Sequence, residues 1–153
     1  MATAIPDQPV LHELDFRLSY GECDPAGIVY YAAYYPWFER VYNEWAFLGG
    51  FAPSRMHELW GATHVTVASD CRYHLPGRLH EPFTVRMRLA RLGRTSFTLH
   101  YAIDQRETAQ TYAEGRMTFV FVDLPDLDGD VRPRPTPVPQ GLIDVLAAAG
   151  CAF

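Results

Sequence analysis

The most constraining feature of the chain is a change in the spacing of its apolar residues at Gly61. Between Tyr34 and Leu48, apolar side chains follow one another at steps of three or four residues, which predicts one long amphipathic helix. After Gly61 they recur at every second position, which is typical of half-buried strands. This order predicts an α+β domain in which one helix packs against one sheet.

Strand patterns precede and follow the long helix. The first runs from Leu11 to Tyr20, and four more lie after Gly61. Their apolar faces are expected to hold, in order, Val65, Val67, Cys71 and Tyr73; Phe83, Val85, Met87 and Leu89; Phe97, Leu99, Tyr101 and Ile103; and Met117, Phe119 and Phe121. The connections at 76–77, 93–94 and 104–108 are short, so we expect consecutive strands to pair as antiparallel hairpins.

Two shorter helices are predicted beside the long one. Gly49-Gly50 should end the long helix, and a second helix from Ser54 to Trp60 would have Ser54 as its N-cap. A last helix is expected from Gly141 to Ala149, after a Pro-rich and extended segment at 125–139.

The whole chain is predicted to be one domain. Its 153 residues contain no internal repeat, and residues 1–10 and 125–153 are expected to be peripheral to the core. A single sheet on one helix leaves its edges and one face uncovered, so we expect a homodimer or homotetramer.

Composition excludes several classes of function. A net charge of −5 argues against nucleic-acid binding, which needs a basic surface. No stretch approaches the roughly 20 apolar residues that span a bilayer. The histidines show no metal-ligand spacing, and the segment 126–130 lacks the closing Glu of a calcium loop. Three widely spaced cysteines and no secretory signal predict reduced thiols and a cytoplasmic protein.

The segment between the first strand and the long helix is where chemistry is expected. Asp24 precedes Pro25, which favours an extended backbone before it, and Gly27 permits a tight turn. The following residues enter a helix whose first amides have no internal partner and attract negative charge. A carboxylate beside free amides suits thioester cleavage, although a turn or capping role is the simpler interpretation of Asp24 from these residues alone.

The run from Gly21 to Tyr31, with Asp-Pro-Ala-Gly-Ile-Val at its centre, resembles the signature of the 4-hydroxybenzoyl-CoA thioesterase family. The resemblance is strong in sequence over 20–45 and extends in layout over 14–121. It implies a hotdog fold, in which a curved antiparallel sheet wraps around one long central helix. It also implies hydrolysis of an aromatic or short-chain acyl-CoA, with coenzyme A as part of the substrate and no separate cofactor.

The same resemblance implies roles for individual residues. Asp24 would be the nucleophile or general base, and the backbone N–H of Tyr31 would polarise the thioester carbonyl. Gly27 and Ile28 would shape the turn and contact the substrate. In the basic hairpin that binds coenzyme A, Arg94 matches the family pattern. Arg91 and Arg134 are further candidates for the phosphates.

Some positions depart from the family pattern and leave alternatives open. Ala32 and Ala33 stand where relatives often have Pro and Asn, and a related branch has His where Tyr31 stands here. A non-catalytic acyl-CoA-binding protein, or a thioesterase acting on a carrier-protein thioester, would fit the thinner basic cluster. A hotdog dehydratase would need a His in the same segment as Asp24, and none occurs between Asp24 and His57.

The aromatic helix suggests where an acyl group could bind. Tyr35 and Trp37 lie off its main apolar stripe, so they are expected to face an acyl pocket or a partner subunit. Val67, Ser69 and Met117 are candidates to complete such a pocket. Cys23 is expected to be a packed thiol that points away from Asp24.

Overall fold

One antiparallel sheet and three α-helices account for the regular structure of the described residues. The structure is a computed structural model that describes residues 7–123 and 132–153. The strands are β1 (Val10–Arg17), β2 (Thr63–Tyr73), β3 (Pro82–Leu92), β4 (Ser96–Gln105), β5 (Thr111–Asp123) and the short β6 (Arg134–Pro135). The helices are α1 (Tyr34–Leu48), α2 (Pro53–Trp60) and α3 (Gln140–Ala148), with short 3-10 turns at Tyr20–Glu22 and Tyr31–Ala33. The predicted α+β class is confirmed.

The strand order is β1-β3-β4-β5-β2, and β6 pairs with the end of β5. The predicted hairpins β3–β4 and β4–β5 are present. The predicted hairpin between β2 and β3 is wrong, because β3 has β1 on one side and β4 on the other. β2 pairs instead with the outer edge of β5. The connection at 74–81 therefore crosses one end of the sheet.

A bulge inverts the two faces of β2. The pairing with β5 shifts between Thr66 and Ala68, so that Val67 has no partner residue. The bulge reverses the alternation of side chains, so Val65 and Val67 are 40% and 56% exposed instead of lying with Cys71 in the core. The predicted apolar face of β2 is therefore wrong in its first half. The apolar faces predicted for β3, β4 and β5 are confirmed, with Met117 only partly buried.

Helix α1 lies against the sheet and supplies the centre of the core. Phe38 stacks on Tyr101 of β4, with 4.6 Å between ring centroids. Its ring also fills the space above Gly115 of β5, where a Cβ atom would overlap it. The predicted apolar stripe is buried along most of α1 but ends early, since Leu48 is 68% exposed. Trp37, predicted to face a pocket or a partner, is instead buried in the core.

The ends of the helices show which local signals were correct. Gly49 and Gly50 end α1 as expected, and Gly50 has a φ of +79°. Helix α2 begins at Pro53, so Ser54 lies inside the helix and the predicted Ser54 N-cap is wrong. Proline suits this first helical position because its missing N–H would have no partner there.

The C-terminal part of the described chain begins at one end of the sheet, where β6 pairs with the last residues of β5 and the N–H of Val138 donates to the Arg94 carbonyl. Within 132–139 the only regular element is β6, and both residues 125–131 of the Pro-rich segment and the candidate calcium loop at 126–130 lie outside the described residues. Helix α3 begins one residue before the predicted helix and buries Leu142 and Leu146. No α-helix in 7–123 or 132–153 is long and apolar enough to cross a membrane.

Replacing Gly115 with Ala tests the packing of α1 on the sheet. The added methyl group would overlap the Phe38 ring and lie 3.1 Å from the carbonyl oxygen of Asp70, so the helix or the strand must shift. We expect a loss of about 1–3 kcal/mol in the free energy of unfolding, measured by urea denaturation. Gly21→Ala is the control, because its Cβ meets nothing within 4 Å. Equal stability of the two variants would contradict this account of the core.

Candidate active site

A tight turn between β1 and α1 holds Asp24. The N–H of Asp24 donates to the Ile28 carbonyl at 2.8 Å, and the N–H of Gly27 donates to the Asp24 carbonyl at 2.9 Å. Cys23 and Val29 form an antiparallel bridge that closes the loop. Gly27 has a φ of +76°, a conformation that side chains disfavour. The strand-to-turn geometry expected around Gly27 is therefore present.

The Asp24 carboxylate has one oxygen held and one available. Oδ1 accepts a hydrogen bond from the N–H of Ala26 at 2.7 Å, whereas Oδ2 has no hydrogen-bond partner among the described residues. Asp24 lines a cleft of about 360 Å³ together with Ile28, Tyr31 and Tyr73. The structure thus brings three of the predicted site residues, and Gly27 beside them, to one place.

Tyr31 begins the 3-10 turn that leads directly into α1. Its N–H makes no hydrogen bond to another described backbone group, as expected for the first residue of a helical segment. Its carbonyl accepts a hydrogen bond from the hydroxyl of Tyr73 at 3.1 Å, which ties the turn to the end of β2. The free amide and the free carboxylate oxygen therefore belong to residues that line the same cleft.

Glu22 fixes this segment to α1, a role that the sequence analysis did not assign. Its carboxylate accepts hydrogen bonds from the Ser19 N–H at 2.8 Å and from the Ser19 hydroxyl at 2.9 Å. The indole N–H of the buried Trp37 donates to the other carboxylate oxygen at 2.7 Å. The Ser-x-x-Glu spacing of a capping box is the signal that could have identified Glu22.

The predicted phosphate-binding arginines lie far from Asp24 in the same chain. Arg91 and Arg94 are exposed at the end of β3 and in the turn after it. Arg134 of β6 lies opposite Asp123 of β5 in the sheet, at the neighbouring end of β5. The turn of Asp24 contacts the segment that leads into the other end of β3, through the bridge between Ile28 and Arg78. An 11-residue strand is roughly 30 Å long, so these arginines and Asp24 lie at opposite ends of the sheet.

The residues predicted to form an acyl pocket are only partly brought together. Tyr35 and Met117 line a second cavity, which lies between α1 and β2. Ser69 is paired with Met117 across the sheet but is exposed, and Val67 lies in the bulge. Trp37 packs against Phe16 at 4.5 Å and belongs to the core.

Comparison with known protein families gives one match that spans most of the chain. A model described as the thioesterase-like superfamily matches residues 18–148. A comparison with curated protein sequences found no match.

Solved structures share this architecture at low sequence identity. A 1,4-dihydroxy-2-naphthoyl-CoA thioesterase from Synechocystis has a TM-score of 0.77 and 18% identity, over 89% of this chain and 95% of that one. A 4-hydroxybenzoyl-CoA thioesterase variant complexed with 4-hydroxybenzoyl-CoA has a TM-score of 0.74 and 21% identity, over 88% and 96%. A protein of Pseudomonas aeruginosa strain PAO1 has a TM-score of 0.74 and 26% identity, over 94% of each chain. The hotdog fold implied by the sequence resemblance is confirmed.

Replacing Glu22 with Ala tests the connection between the turn and α1. The change leaves the buried indole N–H of Trp37 and two Ser19 donors without an acceptor. We expect the free energy of unfolding, measured by urea denaturation, to fall by about 1–3 kcal/mol. Glu107→Ala is the control, since the Glu107 side chain is exposed in the β4–β5 turn. A loss no larger than that of the control would show that these hydrogen bonds do not stabilise the loop.

Proposed function

The chain belongs to the thioesterase-like superfamily, and from this membership we propose that it hydrolyses an acyl-CoA thioester in the cleft lined by Asp24 and Tyr31. The class of enzyme, a thioester hydrolase, follows from the family. The observation that carries the assignment of the site is the position of Asp24, with one free carboxylate oxygen, in the same cleft as Tyr31.

Asp24 would supply the reactive group in either of two ways. As a nucleophile, its free oxygen attacks the carbonyl carbon and the coenzyme A thiolate leaves, after which water cleaves the resulting anhydride. As a general base, it takes a proton from a water molecule that attacks the same carbon. Both routes require a carboxylate oxygen that is not engaged by the protein, and Oδ2 meets this condition.

The N–H of Tyr31 would stabilise the negative charge that develops on the thioester oxygen. Backbone donors at a helical N-terminus are well suited to this task, because they are already oriented and have no partner to lose. The turn of Gly27 and Ile28 would keep this amide and Asp24 at a fixed separation. The Tyr31 side chain, which is 62% exposed, would act only by lining the cleft.

An aromatic or short-chain acyl group fits the cleft best. Tyr31, Tyr34 and Tyr73 contribute three aromatic side chains to its lining. Two of the solved structures with the same fold are thioesterases for aromatic acyl-CoA esters, which agrees with this choice. Coenzyme A would enter as part of the substrate. A cytoplasmic location stays a prediction from the sequence.

A dimer would bring the predicted phosphate-binding arginines close to the cleft of Asp24. Strand β2 is an edge strand with exposed Val65 and Val67, so a second copy could extend the sheet there. If two β2 strands pair antiparallel, the end of the sheet that holds Arg94 in one copy lies beside the Asp24 end of the other. We therefore propose a homodimer in which Arg91, Arg94 and Arg134 of one chain bind the phosphates of a substrate cleaved in its partner.

Replacing Asp24 with Asn tests the catalytic carboxylate. Asn keeps an oxygen that can accept from the Ala26 N–H, so the turn should persist, but it can neither attack nor accept a proton. We expect kcat for benzoyl-CoA or 4-hydroxybenzoyl-CoA, followed by thiol release, to fall by about 10²–10⁴-fold. Asp144→Asn on the exposed face of α3 is the matched control. Unchanged turnover in the Asp24 variant would refute the assignment. Tight binding without turnover by the unaltered protein would favour a binding role.

Replacing Val67 with Lys tests the dimer. A charged side chain on an edge strand opposes pairing with a second copy, so sedimentation should show a shift toward the monomer. Thiol release should fall with it, because the arginines would then be absent from the cleft. Val10→Lys is the control, since Val10 is 39% exposed on the opposite edge strand β1. A monomeric and fully active unaltered protein would rule out the shared site.

A further inference from the structure

A histidine that the proposed reaction does not use lines the cleft of Asp24. His74 follows the last residue of β2 and is the only histidine among the described residues that line this cleft. Its N–H donates to the carbonyl of Tyr112 in β5 at 2.8 Å, which fixes the residue to the sheet at the point where β2 ends. The fold therefore holds an imidazole and the Asp24 carboxylate at one cleft.

Glu114 of β5 orients the His74 ring. Arg72 lies opposite Glu114 in the sheet, so His74, two residues further along, is on the same face and within side-chain reach. Nε2 of His74 lies 2.9 Å from Oε2 of Glu114. Because an ionised carboxylate only accepts hydrogen bonds, this contact places the ring proton on Nε2. Nδ1 then carries a free lone pair, and it has no hydrogen-bond partner among the described residues.

A second histidine, which is buried, holds the other oxygen of Glu114. Nε2 of His100 lies 3.2 Å from Oε1 of Glu114, and His100 is 3% exposed. Arg88 and Arg116 are the residues paired with His100 on the two neighbouring strands. Burial lowers the pKa of His100, Glu114 opposes this effect, and the two arginines add to it. The net result is a neutral His100 at physiological pH.

The charge of Glu114 is therefore available to His74. Partial burial raises the pKa of Glu114, but the hydrogen bond from His74 and the interaction with His100 lower it overall. Glu114 is thus ionised at neutral pH, and a neutral His100 leaves its negative charge uncompensated. An imidazole with one nitrogen on an ionised carboxylate and the other nitrogen free has the arrangement of an oriented general base.

The nucleophilic route proposed for Asp24 needs such a second base. Once Asp24 has attacked the thioester, its carboxylate is part of the anhydride and can no longer take a proton from water. Two tyrosines of the cleft are unsuited to this task, because burial raises the pKa of Tyr34 and of Tyr73 to about 12. Both hydroxyls keep their protons at neutral pH, whereas Nδ1 of His74 carries none.

We propose that His74, oriented by Glu114, is the general base that activates water to hydrolyse the anhydride formed on Asp24. This inference rests on the proposed function and selects the nucleophilic route for Asp24. Water attacks the acyl carbonyl carbon while Nδ1 of His74 takes one of its protons. The bond between that carbon and Oδ2 of Asp24 then breaks, which restores the carboxylate and releases the acid. The acid and the His74 imidazolium lose their protons to solvent.

Replacing His74 with Gln tests the base. Gln keeps a donor for Glu114 but cannot take a proton from water. With benzoyl-CoA or 4-hydroxybenzoyl-CoA in rapid mixing, we expect a burst of thiol equal to the concentration of active sites, since the first step does not use His74. The steady-state rate that follows should fall by about 10²-fold. His57→Gln, on the exposed surface of α2, is the control and should change neither phase.

The covalent intermediate provides an independent measurement. In the His74→Gln protein, acid quenching during steady state followed by mass spectrometry should find the acyl group on the peptide that contains Asp24. An unchanged steady-state rate would overturn the inference. An equal loss of burst and steady state would also overturn it, because His74 would then act before the anhydride forms.

Glu114→Gln tests the positioning of His74. Gln keeps an oxygen that can accept from the histidines but lacks the charge that stabilises a proton on His74. The steady-state rate should fall roughly tenfold or more while the thiol burst is retained. Glu107→Gln in the β4–β5 turn is the matched control. A purely structural role for Glu114 would lower the burst and the steady state together, which would contradict the proposal.

The same measurements separate this inference from the proposed function. If the unaltered protein releases no thiol from acyl-CoA esters, the proposed function fails and this inference fails with it. If thiol release requires Asp24 but both phases are unchanged in His74→Gln, the proposed function stands and this inference alone fails.

Discussion

The packing of Phe38 into the space above Gly115 is the contact on which the rest of the structure depends. A residue with a side chain at 115 would hold α1 away from the sheet, whereas glycine lets the ring approach the β5 backbone and stack on Tyr101. This contact lies one turn after the start of α1. It therefore fixes the position of the first helical turn, and with it the place of Tyr31 relative to the turn of Asp24.

Two carboxylates in one short loop have different environments and so different roles. Glu22 accepts three hydrogen bonds, one of them from the buried Trp37 indole, so that both of its carboxylate oxygens hold the loop on α1. Asp24 accepts one hydrogen bond at Oδ1, from its own turn. A carboxylate whose two oxygens both accept hydrogen bonds stabilises structure, whereas one with a free oxygen is available for chemistry.

The outer edge of β2, where no other described strand pairs, links three features of the molecule. It leaves Val65 and Val67 exposed, it borders the cavity between α1 and β2, and it lies where a second copy would bring Arg94 toward Asp24. Within one chain the carboxylate and the arginines are separated by the length of β3. The described chain therefore holds the chemical half of the proposed site at one end of its sheet and the phosphate-binding half at the other.

The sequence by itself determined the features that depend on neighbouring residues: α1 from its apolar spacing, the β3–β4 and β4–β5 hairpins from their short connections, and the turn at Asp24 from Pro25 and Gly27. Only the tertiary structure decided the pairing of β2 with β5, the reversal of the faces of β2 at Val67, and the hydrogen bond between Tyr42 and His64. These features join residues that are distant in the chain. Local spacing does not show which strand edge remains free or where a bulge shifts the register.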